Sequence, residues 1–172
     1  MRGGTLIEVL VSILILSFGL LSIGAMLAYA VQLPKVSGNR AVASSMAIDL
    51  VERMRANVTA YQASNYSIST YDGKTTDLAE DASKQCAYPA CTSQTLATQD
   101  LNEISRNLRK LLPAGGLVVE APNAASGEGR IFVVWKEAAS AGSLGGNNDI
   151  CPTLSLGAGE NAPRCLMVKF KP

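Results

Sequence analysis

The sequence predicts an α+β fold: one long N-terminal α-helix packed against a small antiparallel β-sheet head with a second short helix. Three observations carry that expectation. From Leu6 to Val31 every residue is apolar, Gly, Ser or Tyr, apart from Glu8. The helical pattern resumes after Gly38-Asn39, with Ala43, Ala47, Leu50, Val51, Met54 and Val58 on one stripe at three- and four-residue spacing. Past residue 99, a second amphipathic stretch is followed by three runs of strand character.

The first helix is read from residue 5 to about residue 56, kinked rather than ended by Pro34. At about 1.5 Å per residue it spans roughly 75–80 Å. Its first half exceeds the roughly 20 residues that cross a bilayer core, where the backbone must satisfy its own hydrogen bonds. Glu8 is the anomaly. A carboxylate within such a segment costs on the order of 2.5–3.5 kcal/mol at mid-helix, less towards an end, and marks function. A buried charge is tolerable when paired, so its relief is a cation such as another chain's amino group. A rival reading takes Ala28-Tyr29-Ala30 as a secretory cleavage site behind Arg2, releasing a soluble protein from Val31. The apolar run is longer than such a signal needs, and Glu8 sits in its early part.

The stretch Gly3-Gly4-Thr5-Leu6-Ile7-Glu8 resembles the prepilin signature of type IV pilins and type II secretion pseudopilins. The resemblance implies a leader of residues 1–3, cut after Gly3 on the cytoplasmic side by a prepilin peptidase. Gly4 then becomes the methylated N-terminus, where the family most often has Phe, and Glu8 stands fifth in the mature chain. Glu8 would neutralise the amine of a neighbouring subunit in a growing filament. Residues 4–57 are the long helix, with 4–31 as transmembrane segment and filament core and 32–57 amphipathic. Residues 58–172 form the globular head.

Asp49, Glu52, Arg53 and Arg55 lie opposite the apolar stripe, and the two arginines read as a solvated face paired with those acids. Residues 61–98 are rich in Ser, Thr, Ala and Tyr; Asp72-Gly73 is a turn signal that could join two short strands. Asn57-Val58-Thr59 and Asn65-Tyr66-Ser67 match the glycosylation sequon by chance rather than as acceptors. The second helix is read over residues 100–112, its apolar face Leu101, Ile104, Leu108, Leu111 and Leu112. Asp100 and Glu103 at its start and Arg109 and Lys110 at its end match the helix dipole; Pro113 and Gly115-Gly116 stop it. Strands are expected over 116–121, 130–136 and 165–171, the first two joined antiparallel through Gly127-Glu128-Gly129. Ile131-Phe132-Val133-Val134-Trp135 is apolar throughout, as in a central strand covered on both faces, with Trp135 in the core.

Four cysteines, Cys86, Cys91, Cys151 and Cys165, follow the apolar segment, an even count that suggests an oxidising compartment and two disulfides. Three pairings are possible; the neighbour pairing, Cys86–Cys91 and Cys151–Cys165, is the expectation. A zinc site of four thiolates is the alternative, but the wider pair does not have ligand spacing. A disulfide closing a loop of about 15 residues is worth roughly 3 kcal/mol in the chain-entropy model.

Residues 41–57 with Glu52-Arg53-Met54-Arg55-Ala56-Asn57, the Cys86–Cys91 pair, the Asp100-Leu101 helix and Leu112-Pro113 before Gly115-Gly116 are similar to the minor pilins called PilV. That group is named for type IV pilus modification or assembly; Ile104 departs from it where related chains often carry Trp. The resemblance implies an inner-membrane protein with one pass and its head in the periplasm, passing to the pilus and cell surface. It implies partnership with other minor pilins and the major pilin, and a part in assembly initiation, adhesion and twitching motility. Two alternatives stand beside it: a pseudopilin of a type II secretion or competence system, and a membrane-anchored or secreted periplasmic binding domain.

Little points to catalysis. The chain has no His, which removes the commonest general base and metal ligand. Its net charge of +1 gives no electrostatic case for nucleic acid, and 5% aromatics give none for a stacking platform. Gly142 to Gly146 is followed by Asn147-Asn148-Asp149 and no lysine, so it is not a phosphate loop. Calcium there would lack clustered carboxylates, since Glu160 is distant, and turn chemistry is the better account. The expectation is a structural protein: no enzyme, no catalytic residues, no metal, no cofactor, no nucleic acid and no small-molecule substrate.

Overall fold

A computed structural model of the chain describes residues 5–69, 71–87, 89–137, 149–152 and 163–172. Helix α1, Leu6–Ala56, runs unbroken for 51 residues, about 75 Å at about 1.5 Å per residue. Pro34 lies inside it and ends nothing; Ser37 Oγ donates to the Leu33 and Pro34 carbonyls one turn before it. The expected stripe is the buried one, with Ala43, Ala47, Leu50, Val51 and Met54 inside. Val58 leaves the stripe, because the helix breaks at Asn57 and a five-residue helix α2, Val58–Gln62, follows. So short a helix carries no readable periodicity. Its role is to deliver Tyr61, whose ring meets Phe170 edge-on at 4.9 Å and whose hydroxyl donates towards the Gly127 and Phe170 carbonyls.

Asp72-Gly73 does make a turn, but no strands flank it among the described residues. Asp72 Oδ1 accepts from the Lys74 N–H at 3.2 Å, and Gly73 takes the left-handed φ of +62° that such a turn asks of glycine. The second long helix, α3, Ser93–Leu111, begins nearly two turns before residue 100. The cause is local. Thr92 accepts from the Thr95 N–H at 3.2 Å while Thr95 Oγ1 accepts from the Thr92 N–H at 2.8 Å. This is a reciprocal capping box with threonine where Glu or Gln is usual.

Three strands, β1 Gly116–Val119, β2 Gly129–Trp135 and β3 Arg164–Phe170, form an antiparallel sheet in the order β1-β2-β3. Register runs from Gly116 opposite Val134 to Val119 opposite Ile131, and from Gly129 opposite Phe170 to Trp135 opposite Arg164. Ile68 adds one antiparallel bridge outside β1, at Val119. Alternation sends Leu117, Val119, Ile131, Val133, Trp135 and Phe170 towards the core shared with α1 and α3. Val118, Phe132, Val134 and Cys165 face the other way, where Tyr71 covers them and the half-buried Cys151 and Met167 pack. The continuous apolar run of β2 is thus explained: both faces are covered, and Trp135 is wholly buried. Gly116 is required where Tyr71 packs, since the ring occupies the space a Cβ would take.

Candidate functional site

The feature that sets this chain apart is the half of α1 that no other described element covers. Every residue from Leu6 to Val31 is exposed, large side chains included: Leu6 is 78% exposed and Phe18 67%. Burying that face elsewhere is strongly favourable at about 25 cal/mol per Å² of apolar surface. The helix is long and apolar enough to cross a membrane. Its serines need no outside partner, because Ser12, Ser17 and Ser22 donate back to the carbonyls of Glu8, Ile13 and Gly19 at 2.7–2.8 Å. Glu8 differs. It is exposed on the first turns of α1, and its carboxylate has no ion pair or hydrogen bond among the described residues. Gly3 and Gly4, the expected cleavage and methylation positions, lie outside the described residues.

The far half of α1 carries the head through a polar seam that the sequence reading placed in solvent. Arg55 does pair with Glu52 at 2.9 Å, and Arg53 with Asp49 at 3.1 Å. Arg53 also reaches across to α3, bonding Asp100 at 3.0 Å and Glu103 at 2.9 Å. Asp100, with its side chain only 9% exposed, accepts further from the buried Tyr66 hydroxyl at 2.6 Å. Arg53 is therefore a bridge between helices. The Arg53 guanidinium holds the Glu103 carboxyl below its ordinary value. Burial, and then the Asp100 carboxylate it donates to, push the Tyr66 hydroxyl up. Asn57 continues the seam by donating to the Ser93 carbonyl at 2.8 Å, which consumes the amide a glycan would need. Asn57 is itself buried, and so is Tyr66 at the centre of the Asn65 sequon.

Arg109, buried on α3, donates to Asp72 at 2.6 Å and to the Lys74 carbonyl, fastening the 72–74 turn. Burial raises the Asp72 carboxyl, but the Arg109 and Lys74 hydrogen bonds outweigh it and leave it lowered. Spacing gives no signal for these long-range pairs within the chain; the sequence reading takes Arg109 only as a match to the α3 dipole.

The sulfurs are joined as Cys86–Cys91 and Cys151–Cys165, with Cα separations of 5.1 and 5.4 Å. The first lies at the surface just before the α3 cap, where the Cys86 N–H donates to Gln99 Oε1 at 2.7 Å. The second closes the connection between β2 and β3. Asp149, considered for calcium, is engaged by Arg40 at 2.8 Å and Arg164 at 2.9 Å and accepts from the Cys165 N–H. The rest of that stretch, residues 142–148, lies outside the described residues, and so does Glu160. No group of three or more acids, cysteines or histidines converges on a metal position among the described residues.

Residues 25–102 match the family model described as Tt1218-like, Type IV pilin Tt1218. The match takes in the end of the apolar half of α1, its amphipathic half and the start of α3, and it begins beyond Glu8. With the long helix on a small antiparallel head, it supports a pilin role for a chain of pilin-like architecture, and the exposed apolar helix is consistent with membrane anchoring. No curated protein and no solved structure matches the chain.

Proposed function

We propose that this chain is a minor pilin of a type IV pilus, close in kind to the PilV group. It is held in the inner membrane by the first half of α1, head in the periplasm, until a prepilin peptidase cuts between Gly3 and Gly4 and the new amine is methylated. It then joins other minor pilins and the major pilin, takes part in priming the fibre, and through it in adhesion and twitching motility. The observation that carries this reading is the pairing of opposites on one helix. Twenty-six exposed, almost wholly apolar residues need a cover that the described chain does not supply, and one carboxylate among them, Glu8, needs a cation that the described chain does not supply either.

Lateral packing of such helices would bury the apolar face, and an amine released at residue 4 of a neighbour would answer Glu8. The disulfides suit an oxidising compartment. Glu8→Ala tests the proposal. Leader removal should stay near its normal extent while incorporation into sheared pili falls severalfold, read by immunoblot of cell and pilus fractions. Normal incorporation of the variant would remove the role assigned to Glu8. Loss of surface pili on deletion of the chain, with enzyme secretion intact, separates the pilus from a secretion system.

A further inference from the structure

We propose that the end of the head nearest the apolar half of α1 is a docking surface for an anionic phospholipid bilayer; this rests on the reading of that half as a membrane segment. The topology defines the end without ambiguity. Register brings the start of β1, the end of β2 and the start of β3 together, with Trp135 opposite Arg164. Arg164 shares Asp149 with Arg40, which fixes this end against the early part of the amphipathic half of α1. The opposite end of the sheet meets Tyr61, beyond residue 57. Helix α3 runs back along α1, since its start touches Asn57 and Arg53 and its end is tied to the sheet by Lys136 N–H to the Pro113 carbonyl.

Its last turn therefore sits at the near end too. Arg40 follows Leu33, an exposed leucine two residues past the Leu6–Val31 run, by seven residues, about 10 Å of helix. Headgroups occupy roughly 5–7 Å on each side of the hydrocarbon core. The near end of the head thus stands a few ångströms beyond the headgroup layer, within reach of a long side chain.

The side chains there suit that neighbour. Leu111 is 54% exposed and Ile150 65% exposed, two apolar groups at the same end. Lys35 and Lys110 are exposed and have no ion-pair partner among the described residues. Among the described residues, the carboxylates at this end are already taken: Asp149 by Arg40 and Arg164, and Asp72 by Arg109, while Glu137 lies 3.9 Å from Arg164. Free cations beside exposed apolar side chains, facing a bilayer across one headgroup layer, attract anionic lipid and not a neutral surface.

The full-length chain in nanodiscs tests this, with zwitterionic phospholipid alone compared with a zwitterionic and anionic mixture. Hydrogen exchange over residues 108–113 and 149–152 should slow roughly tenfold in the anionic discs. The double variant Lys110→Glu, Leu111→Ser changes exposed residues only and should abolish the difference. Equal exchange in both discs overturns the proposal, and so does a difference that survives the double variant. A chain that enters neither disc overturns the membrane reading of α1 and this surface with it.

Discussion

Replacing Arg53 by alanine should destabilise the head far more than replacing Arg55, although the two stand two residues apart on the same helix. Arg55 and Glu52 are both more than half exposed, so their ion pair is worth no more than about 0.5 kcal/mol. Arg53 is 25% exposed and meets three carboxylates, two of them about 40% exposed. Those two contribute little more than a surface pair each. The third, Asp100 at 9%, decides the magnitude. Without Arg53 it keeps only the Tyr66 hydroxyl as a side-chain donor, and stranding a buried charge costs about 3–5 kcal/mol when solvent cannot relax onto it. Part of the removed side chain lay in water, so water can enter; about 2–3 kcal/mol is the expected loss. Urea unfolding in detergent, followed by the fluorescence of the buried Trp135, measures it for both variants. A loss below about 1 kcal/mol for Arg53→Ala, or equal losses for the two arginines, would refute the claim that this seam holds α3 to α1.

Three further outcomes are expected. Glu103 has a folded-state carboxyl below its ordinary 4.5, so its stabilisation is complete above that value and fades as pH falls through the lower folded one; Arg53→Ala should flatten this acid limb of stability. Gly116→Ala places a methyl against the Tyr71 ring and should cost about 1–3 kcal/mol, and Tyr71→Leu should make the same change cheaper, as a double-mutant cycle would read. Gly3→Val should leave the chain at its unprocessed mass in cells carrying the peptidase; processing of that variant at the normal position would contradict the proposed cut.

Much of the fold could be read because its signals are local. The α1 stripe, the stops after α3 and the apolar run of β2 each lie within a window of ten or so residues, and the structure returns them within a few positions. The start of α3 is not legible in the sequence because its cap is written in threonines, Thr92 and Thr95, which read equally well as loop composition. Tyr66 and Tyr71 could not be assigned from sequence. Each stands in an irregular segment, and what fixes it, Asp100 for one and the Ala114 carbonyl for the other, lies more than thirty residues away. The bridging role of Arg53 is hidden for a related reason: its i−4 partner Asp49 accounts for it locally, while the larger share of its bonding crosses to another helix.

Beside Arg53, Glu8 is unusual. Along α1, polar groups are satisfied in one of two ways. In the apolar half the serine hydroxyls turn back onto their own helix, which needs no neighbour and survives in hydrocarbon. In the amphipathic half Arg40 and Arg53 reach across to the head, where acids wait for them. Glu8 can use neither route. A carboxylate has no proton to return to a carbonyl, and the head, beginning about 50 Å further along the rod, is out of reach. On the proposed reading its partner comes from outside the part of the chain described by the structure, and is a cation able to enter an apolar setting. An N-terminal amine on a second, equally apolar helix meets both conditions, whereas a lysine side chain in water meets only the first.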